Sequence, residues 1–434
     1  MKFPYYKELT IDSLEDRGYG IAYGENKTLY KILNSLPNEK VKAEILKHKR
    51  KSRMGRAIDI ITPSKYRVTA ENTCFIETSP WEIMSWKYEN QIKNNMISNL
   101  IRPLYKDFTL HDIRFNNKEF GYRNKMEFSF FFSSDNKIHL AFHQRDSSRG
   151  KVPVETISLL PKIVNRKLIK FLNFLNSLPE LQTSMDLKGL VVRYSFFRKK
   201  TVICLFVKSM DFPIKYFKLL KIPLVIIYSN PKSPAFNEDK VLYRNGLLDL
   251  QEKIGEHLFS YPYNSFFQIN PVLFKEIIED IIRFIKNLPR HLQLNVIEYY
   301  AGIGTIGISI SQLVKSVIAV ELFSGSQKYA LQNAKINNST NYNFIESNAE
   351  NIPGLMNAAE ILILDPPRSG LHKKIIDAIK KYQPKFIIYL SCNPKTQISD
   401  LEQILDIYKL RKYQAYNLYP KTPHIESLAL LIKR

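Results

Sequence analysis

The chain has 434 residues, 44% of them hydrophobic, so at about 150 residues per domain it suggests three domains with sizeable cores. No run is long enough to span a bilayer, and Met1-Lys-Phe-Pro-Tyr-Tyr-Lys7 lacks the apolar core of a signal peptide, so a cytoplasmic protein with no membrane partner is expected. Sixty-four basic residues against 41 acidic ones leave a formal charge of +23, which points to a polyanionic partner such as nucleic acid unless lysine-rich composition alone produces it.

Residues 1–67 predict an OB-like β-barrel of five short strands. Alternating segments at Lys7–Ile11, Thr28–Ile32, Lys40–Ile45 and Gly55–Ile60 are separated by turn signals such as Arg17-Gly-Tyr-Gly20. Within it, Lys49, Arg50, Lys51 and Arg53 belong to a basic run without acids and are expected to meet RNA phosphates. Residues 68–265 predict a central α+β domain, with a helix from Trp86 to about Tyr105 and strands at Gly121–Phe132, Gly189–Tyr194, Val202–Val207 and Pro223–Tyr228. Tyr122, Arg123 and Lys125 interleave a ring with two cations, a pattern that suits RNA bases and phosphates. Cys204, inside an apolar strand, reads as core filler.

From residue 266 to 434, strands and helices alternate as in a doubly wound α/β domain. Strands are expected at Asn295–Tyr300, Ser316–Glu321, Glu360–Leu364 and Phe386–Leu390, with a final pair near Leu410–Leu418 and Ser427–Ile432. Gly302-Ile-Gly304-Thr-Ile-Gly307 follows a strand and opens a helix, and Glu321 ends the next strand, where a carboxylate meets ribose hydroxyls. Asn348 would lie after the third strand, near an adenine ring. A cofactor carrying adenosine is implied, either NAD or S-adenosylmethionine.

Cys392 follows the strand Phe386–Leu390 and sits among polar residues, at the sheet end where ligands bind. The chain's three cysteines (Cys74, Cys204, Cys392) are too far apart in sequence for a disulfide framework. A strand-end thiol suits a nucleophile. C5 of uracil is a poor nucleophile, but thiolate attack at C6 makes C5 carbanion-like and able to take a methyl group. The thiol should then be held below its ordinary pKa of about 8.5. A base must finally remove the C5 proton, and Glu426, in Thr422-Pro-His-Ile-Glu-Ser427, is the candidate, with His424 as rival.

These motifs resemble the RNA uracil-5-methyltransferases. The resemblance rests on Phe266-Phe-Gln-Ile-Asn-Pro271, Tyr300-Ala-Gly-Ile-Gly304-Thr, Asp365-Pro-Pro-Arg-Ser-Gly-Leu371, Ser391-Cys-Asn-Pro-Lys-Thr396 and Thr422-Pro-His-Ile-Glu-Ser427, and extends to Gly121-Tyr-Arg-Asn-Lys125 and a TRAM-like N-terminus. It implies an α/β fold with a Rossmann-like methyltransferase domain, S-adenosylmethionine as methyl donor, Cys392 as nucleophile and Glu426 as base. It also implies that Gln268, Tyr300, Glu321 and Asp365, with Asn348, line the donor site, and that the helix after residue 82 packs on the catalytic domain.

Two departures stand out. Cys74 keeps the first place of the family's iron–sulfur ligands, but Phe75–Ile83 and Val154–Ser158 hold no further cysteine, so no cluster is expected. Asn417 stands where an acid is common, which puts the local hydrogen bonding in question. A TRAM-like barrel without a cluster favours 23S ribosomal RNA over transfer RNA as partner, acted on by a monomer. Cytosine-C5 enzymes typically carry a second cysteine where Pro366-Pro367 stands here, and amino-group enzymes an aromatic ring at Arg368. A non-catalytic RNA-binding protein is the remaining rival.

Overall fold

The computed structural model describes residues 3–434 except 16, 50, 105–109, 146–149 and 290–293. Arg50 and Tyr105 therefore lie outside the described residues.

The N-terminal sheet contains β1 (Tyr5–Thr10), β2 (Ser13–Leu14), β3 (Gly20–Tyr23), β4 (Leu29–Leu33), β5 (Lys40–Lys49) and β6 (Ser52–Thr62), in the order β1-β5-β6-β4-β3-β2. β1 and β2 are two parts of one bent stretch. Its first half pairs with β5, its second half with β3, and Asp12 N–H donates to Ile21 O at 2.8 Å. The sheet thus curls back on itself around Leu9, Tyr30, Ile32, Val41 and Ile45. Register shifts along the β5–β6 pair supply the bend, as bulges do.

The middle of the chain carries α1 (Phe75–Thr78), α2 (Trp86–Ile101), β7 (Lys125–Phe132), β8 (Ile138–His143), β9 (Lys151–Val154), α3 (Lys162–Asn176), α4 (Pro179–Ser184), β10 (Leu187–Ser195), β11 (Lys200–Val207), β12 (Leu224–Tyr228) and β13 (Lys240–Asn245). Its sheet runs β13-β12-β11-β10-β7-β8-β9. Strand periodicity sends Val192, Ile203 and Ile226 to the core under α3, which itself buries Val164, Leu168, Phe171 and Leu175 at helical spacing. The opposite face, with Val191, Cys204 and Val225, joins the core of the C-terminal domain. A hairpin of β14 (Leu250–Ile254) and β15 (His257–Tyr261) lies at that junction.

The C-terminal domain follows as α5 (Pro271–Lys286), β16 (Asn295–Tyr299), α6 (Thr305–Ile310), β17 (Ser316–Glu321), α7 (Ser324–Ile336), β18 (Tyr342–Glu346), β19 (Ile361–Leu364), α8 (Lys373–Tyr382), β20 (Phe386–Ser391), α9 (Pro394–Glu402), β21 (Tyr408–Tyr416) and β22 (Glu426–Lys433). The sheet order is β18-β17-β16-β19-β20-β22-β21, parallel except where β22 joins β20 and β21. Fully apolar strands such as β19 (Ile-Leu-Ile-Leu) suit a parallel sheet covered on both faces. α5, α6 and α7 cover one face. On the other, Ile97 and Ile101 of α2 join the side chains beneath α8 and α9. The strand order reverses between β16 and β19, and such a switch point opens a crevice at the strand C-termini. The edge strand β18 has no clear apolar run in the sequence, because Tyr-Asn-Phe-Ile-Glu carries polar groups outward.

Candidate active site

The expected site residues gather at that end of the sheet. Tyr300 follows β16, Glu321 ends β17, Asp365 follows β19 and Cys392 follows β20. Antiparallel β22 begins at the same edge with Glu426. Ser391 pairs with Ser427 at the last rung of the β20–β22 ladder, and Cys392 and Glu426 each lie one residue beyond it.

Glu426 is buried, and the Tyr419 hydroxyl donates to its Oε2 at 3.2 Å. Burial first, and then the field of Asp365, push its carboxyl well above the ordinary range. Cys392 is half-buried. Its thiol is pushed up to about 12 by desolvation and then by Glu426 and Asp365, against the pull of Arg368. This corrects the expected lowering. Burial and the two nearby carboxyl groups outweigh the exposed Arg368 guanidinium. α9 begins two residues later with proline at its first position, which brings its positive end beside the thiol.

Arg368 Nη2 donates to His424 Nδ1 at 3.1 Å, and burial with that neighbouring charge lowers His424 to about 4. The imidazole is therefore neutral and a weak base. Asn393 Nδ2 donates to the Arg368 carbonyl at 2.9 Å, tying the thiol's turn to the Asp365-Pro-Pro-Arg368 turn. A cavity of about 330 Å³ opens beside Cys392, walled by Arg368 and His424, by Leu14 and Glu15 of the N-terminal sheet, and by the Met96–Leu100 end of α2.

On the other side of Asp365 lies a cleft of about 50 Å³ that brings together Gln268, Tyr300, Gly302 and Asp365. Gly302, at φ +56°, has open space where a Cβ would stand, and its N–H donates to Glu321 Oε2 at 3.0 Å. Gly304, at φ +82°, is tightly packed. It does not line this cleft, and a Cβ there would lie 2.4 Å from the Tyr342 hydroxyl, so it serves close packing. Asn348 also stands outside the cleft, at the start of a short turn whose Glu350 accepts a hydrogen bond from Tyr300. Glu298 was missed from the sequence. It lines the cleft, is buried in β16 and accepts the Gly307 N–H at 3.0 Å, holding the glycine turn to the strand. Its only sequence signal is a carboxylate within an apolar strand. Burial raises Glu298 to about 8 and Asp365 to about 7, with Glu321 contributing to both.

The approach to Glu426 is held by the middle of the chain. Glu89 Oε1 accepts from Lys93 Nζ (2.9 Å), Asn417 Nδ2 (3.0 Å) and Lys421 N (3.0 Å). Lys93 Nζ donates onward to Asn417 Oδ1 (2.6 Å) and Tyr419 O (3.3 Å). Tyr122 Oη donates to Pro420 O, Trp81 N to Lys421 O, and Asn270 Nδ2 to Leu418 O. Asn417 is thus fully engaged. An acid there would set a second carboxylate about 3 Å from Glu89, which already neutralises Lys93.

The expected RNA contacts divide. Lys49 and Lys51 are exposed at the β5–β6 turn. Arg53 is tied to its own sheet, donating to the Tyr5 and Tyr30 hydroxyls at 2.9 and 3.0 Å. Tyr122 is a correction. It is 1% exposed in the central core, where stacking on a base would require the core to open. Arg123 is half-buried, and Lys125 pairs with Glu127 at 2.7 Å. Cys74 is buried, its thiol pushed up to about 11 by desolvation. Among the described residues, no group of three or more His, Cys, Asp or Glu is arranged to hold a metal, and no helix is long and apolar enough to cross a membrane.

A family profile described as tRNA (uracil-5-)-methyltransferase matches residues 235–434, the span that carries Gln268, Cys392 and Glu426. Over that span the chain is similar to the RNA uracil-5-methyltransferases. It is accordingly an RNA methyltransferase. An RNA methyltransferase of Lactobacillus johnsonii is 29% identical, aligned over 98% of this chain and 97% of its own length. One from Nanoarchaeum equitans is 27% identical over 99% of this chain and 94% of its own. The crystal structure of Pyrococcus abyssi tRNA (uracil-54, C5)-methyltransferase in complex with S-adenosyl-L-homocysteine superimposes with a TM-score of 0.79 at 19% identity, covering 98% of this chain and 100% of that one. It shares the fold.

Proposed function

We propose that this methyltransferase moves a methyl group from S-adenosylmethionine to C5 of a uridine in structured RNA, through a covalent bond between Cys392 and C6. The observation that carries the reading is the placing of Cys392 and Glu426 just beyond the last rung of the β20–β22 ladder, each within the field of Asp365 of the neighbouring cleft. The cleft's chemistry suits the donor. Asp365, Glu298 and Glu321 crowd one buried space, so a cationic sulfonium is the charge that space lacks, and the open side of Gly302 leaves room for a ligand against the backbone. Gln268, Tyr300, Gly302, Glu321 and Asp365 would hold the donor, which supplies the methyl group.

The remaining steps belong to the chain's own groups. With its proton lost to water, the Cys392 thiolate adds to C6, and the electron pair displaced from the C5–C6 double bond makes C5 nucleophilic. Once C5 carries the methyl group, Glu426 takes the C5 proton. The double bond re-forms and the thiolate leaves. Tyr419 keeps Glu426 oriented through its hydroxyl. His424 is a poor alternative acceptor because its Nδ1 is engaged and its pKa is low.

For the RNA, the sequence favours 23S ribosomal RNA and a cytoplasmic enzyme that needs neither a cluster nor a partner chain. Transfer RNA is the second reading, supported by an enzyme with that title whose whole length aligns with this chain. The division into an RNA-binding barrel at 1–67, a central domain at 68–265 and a methyltransferase domain at 266–434 is part of this proposal. Nucleoside mapping of 5-methyluridine in both RNAs, with and without the gene, tests the assignment. Glu426→Gln tests the chemistry. It should trap a methylated RNA–protein adduct that survives denaturing gels, whereas normal turnover without adduct would assign proton removal to another group.

A further inference from the structure

The β10–β11 hairpin turns through Phe196, Phe197, Arg198 and Lys199, closed by the pair Ser195 and Lys200. Hairpin tips are ordinarily among the looser parts of a fold. This one is tied down residue by residue. Glu252 of β14 accepts the Phe196 N–H at 2.7 Å on one oxygen and the Phe197 N–H at 3.1 Å on the other. Ser195 Oγ donates to the Gln251 carbonyl and accepts the Arg198 N–H at 2.9 Å. Arg198 Nε donates to Gln251 Oε1 at 2.8 Å, and Lys200 Nζ to Asp249 O at 2.8 Å. Glu252 is 1% exposed, and its carboxylate is spent entirely on amides of the tip.

What this scaffold displays is a ring under cations. Phe197 is 42% exposed, and the Arg198 guanidinium lies 4.9 Å from its ring centre. Lys118 Nζ stands 4.6 Å from the neighbouring Phe196 ring. Lys199 is exposed, and among the described residues no side chain pairs with it. An exposed phenylalanine alone would be ordinary. An exposed phenylalanine fixed beneath an arginine, flanked by lysines and fastened by a buried carboxylate, is a preorganised stacking platform with an anion-binding rim.

Its position matters as much as its composition. Lys125 pairs with Arg193, and Tyr194 N donates to Asn124 O at 2.8 Å, so the tip projects from the sheet end that carries Tyr122, Arg123 and Asn124. That same end touches the Gln268 segment and the segment that leads to Glu426. Asn124 Nδ2 donates to the Gln268 carbonyl at 2.9 Å and Tyr122 Oη to the Pro420 carbonyl at 3.0 Å. Lys118 adjoins Glu119, which pairs with Lys421 at 2.7 Å. His424, on the wall of the Cys392 cavity, lies within the field of Arg123 at this end of the central sheet.

We infer that the Phe196–Lys199 tip is an RNA-docking surface, on which Phe197 stacks an unpaired base of the RNA flanking the target while Arg198, Lys199 and Lys118 hold its phosphates. The inference rests on the proposed uracil-5 activity only for what lies in the cavity.

The test uses the full-length protein with unmodified 23S ribosomal RNA and transfer RNA transcripts, comparing the wild type with Phe197→Ala/Arg198→Ala/Lys199→Ala. For the RNA that the wild type binds more tightly, the dissociation constant of the triple variant should rise about tenfold or more, as expected for one lost stack and two lost phosphate contacts. Its log–log salt slope should become shallower by about 1 to 2. Binding of S-adenosylmethionine and thermal unfolding should not change. Arg198→Gln/Lys199→Gln, which leaves the ring in place, should produce the slope change with a smaller loss of affinity. An unchanged affinity and slope in both variants would overturn the docking surface, even with methylation normal. Wild-type protein that binds RNA but forms no 5-methyluridine would overturn the chemistry instead, and the tip would stand on its binding data.

Discussion

Lys93 gives the sharpest test of how the catalytic loop is held. It is fully buried, and its ammonium has three oxygen acceptors, on Glu89, Asn417 and Tyr419. Desolvation pulls Lys93 below the ordinary lysine range, and the Glu89 carboxylate is what keeps its charge. Lys93→Met fills the same space but leaves Glu89 buried with only neutral donors, the Asn417 amide and the Lys421 N–H. Removing one partner of a buried ion pair typically costs about 3–5 kcal/mol, a large share of a domain's roughly 5–15 kcal/mol. Adding Glu89→Gln removes the stranded charge while keeping acceptors for the same N–H groups, so the double variant should recover about 2 kcal/mol or more relative to Lys93→Met. Urea unfolding of the four proteins in the cycle measures this coupling directly. A loss below about 1 kcal/mol for Lys93→Met, or strict additivity, would refute the view that a charge pair holds the loop. The same loop ends on Glu426, so the single variant should also accumulate the covalent RNA adduct during turnover, as slowed proton removal requires.

Four further outcomes follow from the site. Cys392→Ala should abolish methyl transfer while leaving S-adenosylmethionine binding intact, and residual turnover would remove the thiol from the mechanism. In the ligand-free wild type, alkylation of Cys392 by iodoacetamide should keep rising about tenfold per pH unit beyond pH ~9, since the thiol titrates near 12; a plateau near pH ~8 would contradict that environment. Glu298, Asp365 and Glu252 have folded pKa values raised to about 8, 7 and 7, so the folded protein binds more protons than the unfolded chain between their ordinary 3.8–4.5 and those values. Their stabilisation is complete below the ordinary range and lost as pH rises through about 7 to 8, so the melting temperature should fall over that window, and S-adenosylmethionine should raise it more above the window than below. Replacing Lys49 and Lys51 by Gln should flatten the salt dependence of RNA binding by ~0.7 per lost single-strand contact; an unaltered slope would make the β5–β6 turn a solvated face.

Much of the C-terminal domain was legible because its information is local. Apolar strands end in chemistry-bearing turns, and the parallel sheet brings those turns to one edge without any long-range knowledge, as with Asp365 after β19 and Cys392 after β20. The failures have a common cause. Tyr122 carries the same local pattern whether its ring faces RNA or the core, and only the docking of residue 122 against Pro420 decides between them. Gly304 fits a cofactor fingerprint, yet its constraint is the Tyr342 ring arriving from the edge strand. Asn417 looked like a lost acid because Glu89, which takes over the charge, lies more than 300 positions earlier in the chain. The raised thiol of Cys392 likewise depends on Glu426 and Asp365 arriving from other strands.

The position of β22 between β20 and β21 has a consequence for how the molecule is made. This strand closes the gap between two strands already synthesised, and it is the last element of the described chain. Until it emerges, β20 has an open edge and Cys392 lacks the Glu426 carboxyl beside it. α2, made some 300 residues earlier, must meanwhile carry Glu89 and Lys93 in water, where they cost little, and buries them only when residues 417–421 arrive. The surroundings of Cys392 are therefore complete only once β22 has paired with both of its neighbours. A chain interrupted before its last strand would lack Glu426 and the strand that pairs with both β20 and β21.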